Sequence, residues 1–111
     1  MKSDINTTKS IKFVPKGWGH EKWIVNNEEY CGKLLFIAKG KCCSWHYHVL
    51  KDEVFFVQSG RIKVLFSREN NIQSAQELIL EPGDNFHVSR GLRHRMVALL
   101  DSEVFEFSTQ H

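Results

Sequence analysis

The chain has 111 residues, of which 41% are hydrophobic and 25% are charged, and its formal net charge is +2. This length supplies one hydrophobic core but not two, so we expect a single soluble globular domain. Basic and acidic residues are mixed along the whole sequence, which argues against nucleic acid or an anionic membrane surface as a partner. The longest apolar run, Leu34–Ala38, is far too short to span a membrane.

Residues 1–10 are polar and lack the apolar centre of a signal peptide, so we interpret them as a polar arm before a domain of residues 11–111. The three cysteines are Cys31, Cys42 and Cys43. Adjacent cysteines are poor disulfide partners, and the odd count favours a reduced, cytoplasmic protein. We expect the thiols to act as small core residues; metal ligation by Cys42 or Cys43 is the less favoured alternative.

Almost no segment shows helical periodicity, whereas short runs rich in Val, Ile, Phe and Trp alternate with turn residues. In chain order the predicted strands are 11–14, 21–25, 33–38, 44–48, 53–58, 61–66, 72–80, 85–88, 94–100 and 103–108. Between them, Ser59-Gly60 and Arg90-Gly91 suit tight turns, and Pro82-Gly83 suits the centre of a type II turn. Many short strands with regular turns predict an all-β sandwich or barrel.

The stretch from Gly40 to Gly60 contains a pattern typical of metal sites. His46 and His48 are separated by one residue, so on a strand both side chains would point to the same face. Glu53 follows five residues later, after a polar step that allows the chain to reverse. These three side chains could therefore converge on one ion.

A second histidine segment follows downstream. Gly83 and Gly91 mark turns, and His94 begins the next predicted strand, where it would supply a third imidazole. Three imidazoles and one carboxylate suit a divalent transition metal such as Fe(II), Mn, Co, Ni or Zn. They suit calcium or magnesium less well, since those ions prefer oxygen ligands alone.

The two segments resemble the paired motifs of the cupin superfamily. The first, G-x5-H-x-H-x4-E-x6-G, is matched at every position from Gly40 to Gly60. The second, G-x5-P-x-G-x2-H-x3-N, is matched at Gly83, Gly91 and His94, with Ser89 and Ala98 in place of the usual Pro and Asn. The resemblance implies a single-domain antiparallel jelly-roll barrel. It also implies that His46, His48, Glu53 and His94 are the metal ligands.

A narrower resemblance involves the N-terminal strands. Trp18, Gly19 and Glu21 are similar to the R-P-W-G-x-Y-E segment of type II mannose-6-phosphate isomerases, although Lys16-Gly17 replaces Arg-Pro. The segment Gly91–Arg95 is similar to that family's G-x-x-H-R. This resemblance implies an aldose–ketose isomerase acting on a sugar phosphate.

The resemblance to an isomerase suggests further site residues. Glu21 and His20 are the candidate bases, and Lys16, Arg93 and Arg95 are the candidate partners of an anionic group. Arg95 has the opposite strand parity to His94, so a role in the site would require a bend. His87 and His111 are not assigned to the site.

Two other functions fit the same ligands. One is an Fe(II)-dependent dioxygenase, and the other is a non-catalytic, metal-dependent module that binds a sugar or small acid. In each case the partner is a small molecule. A homodimer is compatible with the chain, although no motif specifies one.

Overall fold

The computed structural model describes residues 11–110, so the expected arm of residues 1–10 and His111 lie outside the described part of the chain. These described residues contain nine strands: β1 (Lys12–Lys16), β2 (Gly19–Asn26), β3 (Cys31–Ile37), β4 (Glu53–Ser59), β5 (Ile62–Ser67), β6 (Gln76–Leu80), β7 (Asn85–Val88), β8 (Arg93–Ala98) and β9 (Ser102–Ser108). The predicted all-β class is therefore confirmed. Within residues 11–110, no helix is long and apolar enough to cross a bilayer.

The strands form two antiparallel sheets. The larger has the order β1-β2-β3-β9-β4-β7 and the smaller has the order β6-β5-β8. Alternation along β4, β8 and β9, and along β3 from Lys33 onward, places every second side chain between the sheets. The core there consists of Leu35, Ile37, Phe55, Val57, Ile62, Val64, Leu80, Val88, Leu92, Met96, Ala98 and Val104.

Two predicted strands differ from the structure. Residues 44–48 do not form a regular strand; this part of the chain lies beside β8 and contacts it through isolated bridges, Cys42 to Val97 and His46 to His94. The predicted strand 72–80 begins instead as a short 3₁₀ helix, Ile72–Ser74, because the Asn71 side chain accepts a hydrogen bond from the Gln73 amide and caps that turn. β6 starts only at Gln76.

The cysteines are only partly as expected. All three are free thiols, and Cys31 is buried. Cys43 is half-buried beside the core, and burial raises the pKa of its thiol to about 12. Cys42, however, is exposed, so the prediction of a core position is wrong for this residue. Cys42 lies just before the irregular residues 44–48 and outside any regular strand, so strand alternation does not direct its side chain inward.

Gly60 and Gly83 allow a controlled test of the turns. Both have left-handed backbone, with φ of 88° and 94°, and the amide of Asp84 donates to the carbonyl of Glu81, closing the predicted Pro82-Gly83 turn at 2.9 Å. A Cβ at Gly60 would collide with Ser102 and the backbone of Asp101, whereas a Cβ at Gly83 would meet open space.

We therefore expect Gly60→Ala to lower the free energy of unfolding by more than the roughly 1–2 kcal/mol that left-handed backbone alone costs. Gly83→Ala is the matched control and should lose only that conformational cost. Urea denaturation measures both variants. Equal losses would show that the contact at Gly60 relaxes without consequence.

Candidate metal centre

Three histidines converge at one end of the space between the two sheets. One ring nitrogen from each of His46, His48 and His94 lies within 4.8 Å of the others. Two nitrogens bound at right angles to one ion at ~2.1 Å would lie ~3 Å apart, so small side-chain rotations would bring these atoms to ligand distances. The histidine triad is thus a group that could hold a metal ion.

Backbone pairing places the triad. The amide of His46 donates to the carbonyl of His94 at 3.2 Å, and the amide of His94 donates back to His46 at 2.9 Å. The amide of Gly91 donates to the carbonyl of His48 at 2.8 Å, which fixes the other end of the segment. His46 and His94 therefore sit directly opposite each other, although residues 38–52 contain no regular strand.

Local hydrogen bonds fix the tautomers of two of these rings. The Nδ1 atom of His46 lies 2.8 Å from the carbonyl oxygen of Ser44, and Nδ1 of His94 lies 3.0 Å from the carbonyl of Leu92. A carbonyl oxygen only accepts, so each Nδ1 carries the proton and donates it. Each Nε2 then presents a lone pair, which is the arrangement found in metal-ligating histidines.

Two buried atoms in the site have no hydrogen-bond partner among residues 11–110. They are Nε2 of His94 and Oε2 of Glu53. Oε2 lies 3.1 Å from Nε2 of His48, but the two atoms do not have hydrogen-bond geometry. Buried polar atoms usually have a hydrogen-bond partner. Closely spaced ligand atoms that lack one are consistent with a metal ion that they would share.

Glu53 opens β4 and is 1% exposed. Its carboxylate is adjacent to His48 but is not part of the compact set formed by the three imidazoles. Burial, and next the neighbouring charge of Glu106, raise the pKa of Glu53 to about 7. A divalent cation beside this carboxyl would favour its charged form. Its role as fourth ligand stays a prediction.

The triad faces a cavity of about 220 Å³. Its lining residues come from β1 to β4, β8, β9 and the loops that join them: Lys16, Trp18, Glu21, Trp23, Lys33, Leu35, Cys43, Ser44, His46, His48, Lys51, Glu53, Phe55, His94, Met96 and Glu106. The volume is below that of most drug-sized pockets, so a ligand of metabolite size is the appropriate match.

The three candidate catalytic residues have different locations. Glu21 lines the cavity, and its Oε1 accepts a hydrogen bond from Trp23 at 2.7 Å. His20 does not line it, since its ring packs between Phe13 and Phe36 at centroid distances of 4.8 and 5.3 Å. Arg95 also lies away from the cavity, because it alternates with the buried residues His94 and Met96 on β8.

The residues predicted to bind an anionic group also lie in different places. Lys16 lines the cavity, but Arg93 does not; its guanidinium lies 4.4 Å from the centroid of the Tyr47 ring on another surface. His87 lies outside as well, where it pairs with Asp52 at 2.7 Å.

Sequence reasoning missed three charged residues of the cavity, Lys33, Lys51 and Glu106. All are buried, and Nζ of Lys51 lies 2.8 Å from Oε2 of Glu106. Lys33 lies 3.7 Å from Glu21 and 4.0 Å from the centroid of the Trp23 ring. Burial lowers its pKa despite the nearby carboxylates. The sequence pattern could have identified two of these residues. Lys33 has the same strand parity as the buried Leu35, and Glu106 has the same strand parity as the buried Val104.

We expect His48→Ala to reduce bound metal severalfold, since the variant removes one of three convergent donors. His87→Ala is the matched control, because His87 lies outside the cavity and should leave the metal content unchanged. Elemental analysis of proteins purified in parallel measures the effect. Full metal occupancy in His48→Ala would contradict the assignment of this ligand.

We expect acid to release the ion only at a pH well below the usual pKa range of histidine. Burial is the main cause that lowers the pKa of both His48 and His94 to about 4. These two rings therefore stay neutral at pH 5, and protons compete for their nitrogens only as the pH approaches 4. Metal content after dialysis across pH 3–7 tests this expectation. Release centred near ~6.5, the value of a free imidazole, would contradict it.

Comparisons with known proteins agree with this geometry. The cupin domain family model matches residues 33–107. A similar solved structure is an RmlC-like cupin from Shewanella frigidimarina, with 18% identity, 96% of this chain and 90% of that chain covered, and a TM-score of 0.78. Another is KdgF from Halomonas sp., with 22% identity, coverage of 83% and 78%, and a TM-score of 0.72.

Larger proteins contain the same fold. A variant of oxalate decarboxylase from Bacillus subtilis is 18% identical, with 90% of this chain but 27% of that chain covered and a TM-score of 0.75. The search of curated proteins gives no match. The family match covers more than half of the sequence and includes all three histidines of the triad, and the chain belongs to the cupin family.

Proposed function

We propose that this protein is a metal-dependent enzyme that moves a proton between adjacent carbons of a small sugar or sugar phosphate, as an aldose–ketose isomerase does. The observation that carries the proposal is the placement of Glu21 in the same cavity as the histidine triad. Such a reaction needs an electrophile at the carbonyl and a base near the carbon that loses its proton.

The histidine triad, with Glu53 as the proposed fourth ligand, would hold the divalent ion. When bound, a transition metal supplies a Lewis acid that polarises the carbonyl and hydroxyl oxygens of the sugar. Zn, Mn, Fe, Co and Ni all fit the donor set, since imidazole and carboxylate suit each of these ions. Four protein ligands would leave one or two positions for the substrate.

Glu21 is the proposed base. Its side chain is 14% exposed and lies 3.7 Å from the ammonium of Lys33. Glu21 would take the proton from the hydroxyl-bearing carbon and return it to the former carbonyl carbon, while the hydroxyl proton moves between the two oxygens. His20 and Arg95 have no part in this proposal, because neither lines the cavity.

The charges in the cavity support an anionic substituent on the substrate. Three lysines, Lys16, Lys33 and Lys51, line the cavity together with three glutamates, so their formal charges cancel. A divalent ion held by neutral imidazoles would leave an excess of about two positive charges, which a phosphate or carboxylate on the ligand would balance. Lys16 is exposed at the cavity and is the lysine most accessible to such a group.

We place the protein in the cytoplasm as part of this proposal. The free thiols of Cys31, Cys42 and Cys43 support a reducing compartment.

The proposal is tested with protein loaded separately with Zn, Mn, Fe, Co or Ni and incubated with a panel of sugar phosphates in deuterium oxide. We expect aldose–ketose conversion with deuterium incorporated at the exchanging carbon, observed by NMR. Glu21→Gln should lower the rate by about 10²–10⁴-fold with unchanged metal content, because it removes the base but not a ligand. Glu103→Gln, outside the cavity, is the matched control.

Other outcomes distinguish the alternatives. Oxygen consumption with the Fe(II)-loaded protein, without deuterium exchange, would identify a dioxygenase. Saturable sugar binding without exchange or oxygen consumption would identify a binding module. Either result would overturn the isomerase proposal and leave the metal site intact.

A further inference from the structure

Lys33 occupies an inward position of β3 in the larger sheet. Its side chain is 1% exposed, and in strand register it pairs with Trp23 on β2 and with Glu106 on β9. All three side chains line the same cavity as the histidine triad. The metal centre does not use this amine as a ligand, and the proposed proton transfer assigns it no step. The cavity therefore contains a buried primary amine that is available for other chemistry.

The contacts of Lys33 position its amine without binding it tightly. Nζ lies 4.0 Å from the centroid of the Trp23 ring and 3.7 Å from Oε1 of Glu21, which is too long for a hydrogen bond. That same Oε1 accepts a hydrogen bond from Trp23 at 2.7 Å. By contrast, Nζ of Lys51 lies 2.8 Å from Oε2 of Glu106. Of the two buried lysines, Lys33 is thus the one held by the longer ion pair.

The surroundings of the Lys33 amine favour loss of its proton. Burial is the largest influence and lowers its pKa. The charges that face the amine have both signs: Glu106 on β9 and Glu21 on β2 raise the pKa, and Lys51 lowers it, while the thiol of Cys31 on β3 raises it slightly. The net direction is downward. The neutral amine is the nucleophilic form of lysine, and desolvated lysines use it to form Schiff bases with carbonyl compounds.

We propose that Lys33 forms a reversible Schiff base with a small aldehyde bound in the cavity. The cavity volume of about 220 Å³ suits a ligand of metabolite size, and the amine lies on the cavity wall. This inference does not rest on the proposed isomerase activity, because the bond forms at the carbonyl carbon and no proton moves between carbons.

The step needs no oxidant or reductant. The lone pair of Nζ attacks the carbonyl carbon, a C–N bond forms, and the carbonyl oxygen takes up a proton. Nitrogen then loses a proton, the hydroxyl group leaves as water, and a C=N bond replaces the C–O bond. Glu21 is the carboxylate placed to carry these protons. The protonated imine keeps a positive charge at Nζ, so it preserves the attraction to Glu21 and to the Trp23 ring.

The test is reductive trapping of the full chain with glyoxylate and sodium cyanoborohydride, which converts the imine to a stable secondary amine. Peptide mapping by mass spectrometry then gives the rate of modification at each lysine. Lys63 is the internal control: its Nζ also lies 3.9 Å from a glutamate, Glu77, but its side chain is 32% exposed and lies outside the cavity. We expect Lys33 to be modified roughly tenfold faster than Lys63, since each unit by which a lysine pKa falls gives about tenfold more free amine.

This measurement uses the wild-type chain, so it stays informative if a variant does not fold. Lys33→Arg keeps the positive charge but lacks the nucleophile, and it should remove the rapidly formed adduct. Lys63→Arg should leave the rate at Lys33 unchanged. Modification of Lys33 no faster than that of Lys63 would overturn the proposal, as would a rapid adduct that persists in Lys33→Arg at another lysine.

The result is separable from the test of the proposed function. A rapid Lys33 adduct without deuterium exchange into sugar phosphates would support the Schiff base and contradict the isomerase. Deuterium exchange without a rapid Lys33 adduct would support the isomerase and contradict the Schiff base.

Discussion

The pairing of residues 42–48 with β8 is the constraint on which the candidate metal site depends. This segment has no continuous strand pairing, yet reciprocal hydrogen bonds hold His46 opposite His94. Directly opposed residues in such a pair have Cα atoms roughly 5.5 Å apart, close enough for both imidazoles to reach one point. If the segment slipped by one residue, Trp45 or Tyr47 would replace His46 at that position. The convergence of the two imidazoles therefore depends on the register of this pairing more than on a regular strand.

A protein interior has to compensate the charges that it buries, and the cavity does this with side chains of both signs. Lys51 contacts Glu106, and Lys33 lies between Glu21 and the Trp23 ring. Buried ion pairs contribute little net stability, because desolvation cancels most of their attraction. Their retention around a candidate metal centre is more consistent with control of charge at the site. The same burial raises the pKa of Glu53 and lowers those of His48 and His94, so it favours the uncharged form of each of these three groups.

The sequence predicted the parts that depend on local periodicity and on motif spacing. The all-β class follows from short apolar runs between turns, and the convergence of the three histidines follows from two spaced motifs. The irregular path of residues 44–48 was not predictable from alternation, because Trp45 and Tyr47 mimic a strand while long-range pairing with β8 decides the conformation. The Asn71 cap similarly changed the start of a predicted strand into a 3₁₀ turn.

The buried lysines show a different limit. The parity of Lys33 matched a core position and Lys51 precedes β4, but a buried position for a charged residue gains plausibility only when its partner is known, and Lys51 and Glu106 are distant in sequence. Tertiary structure supplied that partner.

Strand alternation also separates two roles within one sheet. Along β9, Val104 and Glu106 face the core and the cavity, while Phe105 and Phe107 lie on the outward side. A single strand thus contributes to the cavity and to the outward surface of the sheet, so substitutions at neighbouring positions should act on different properties of the protein.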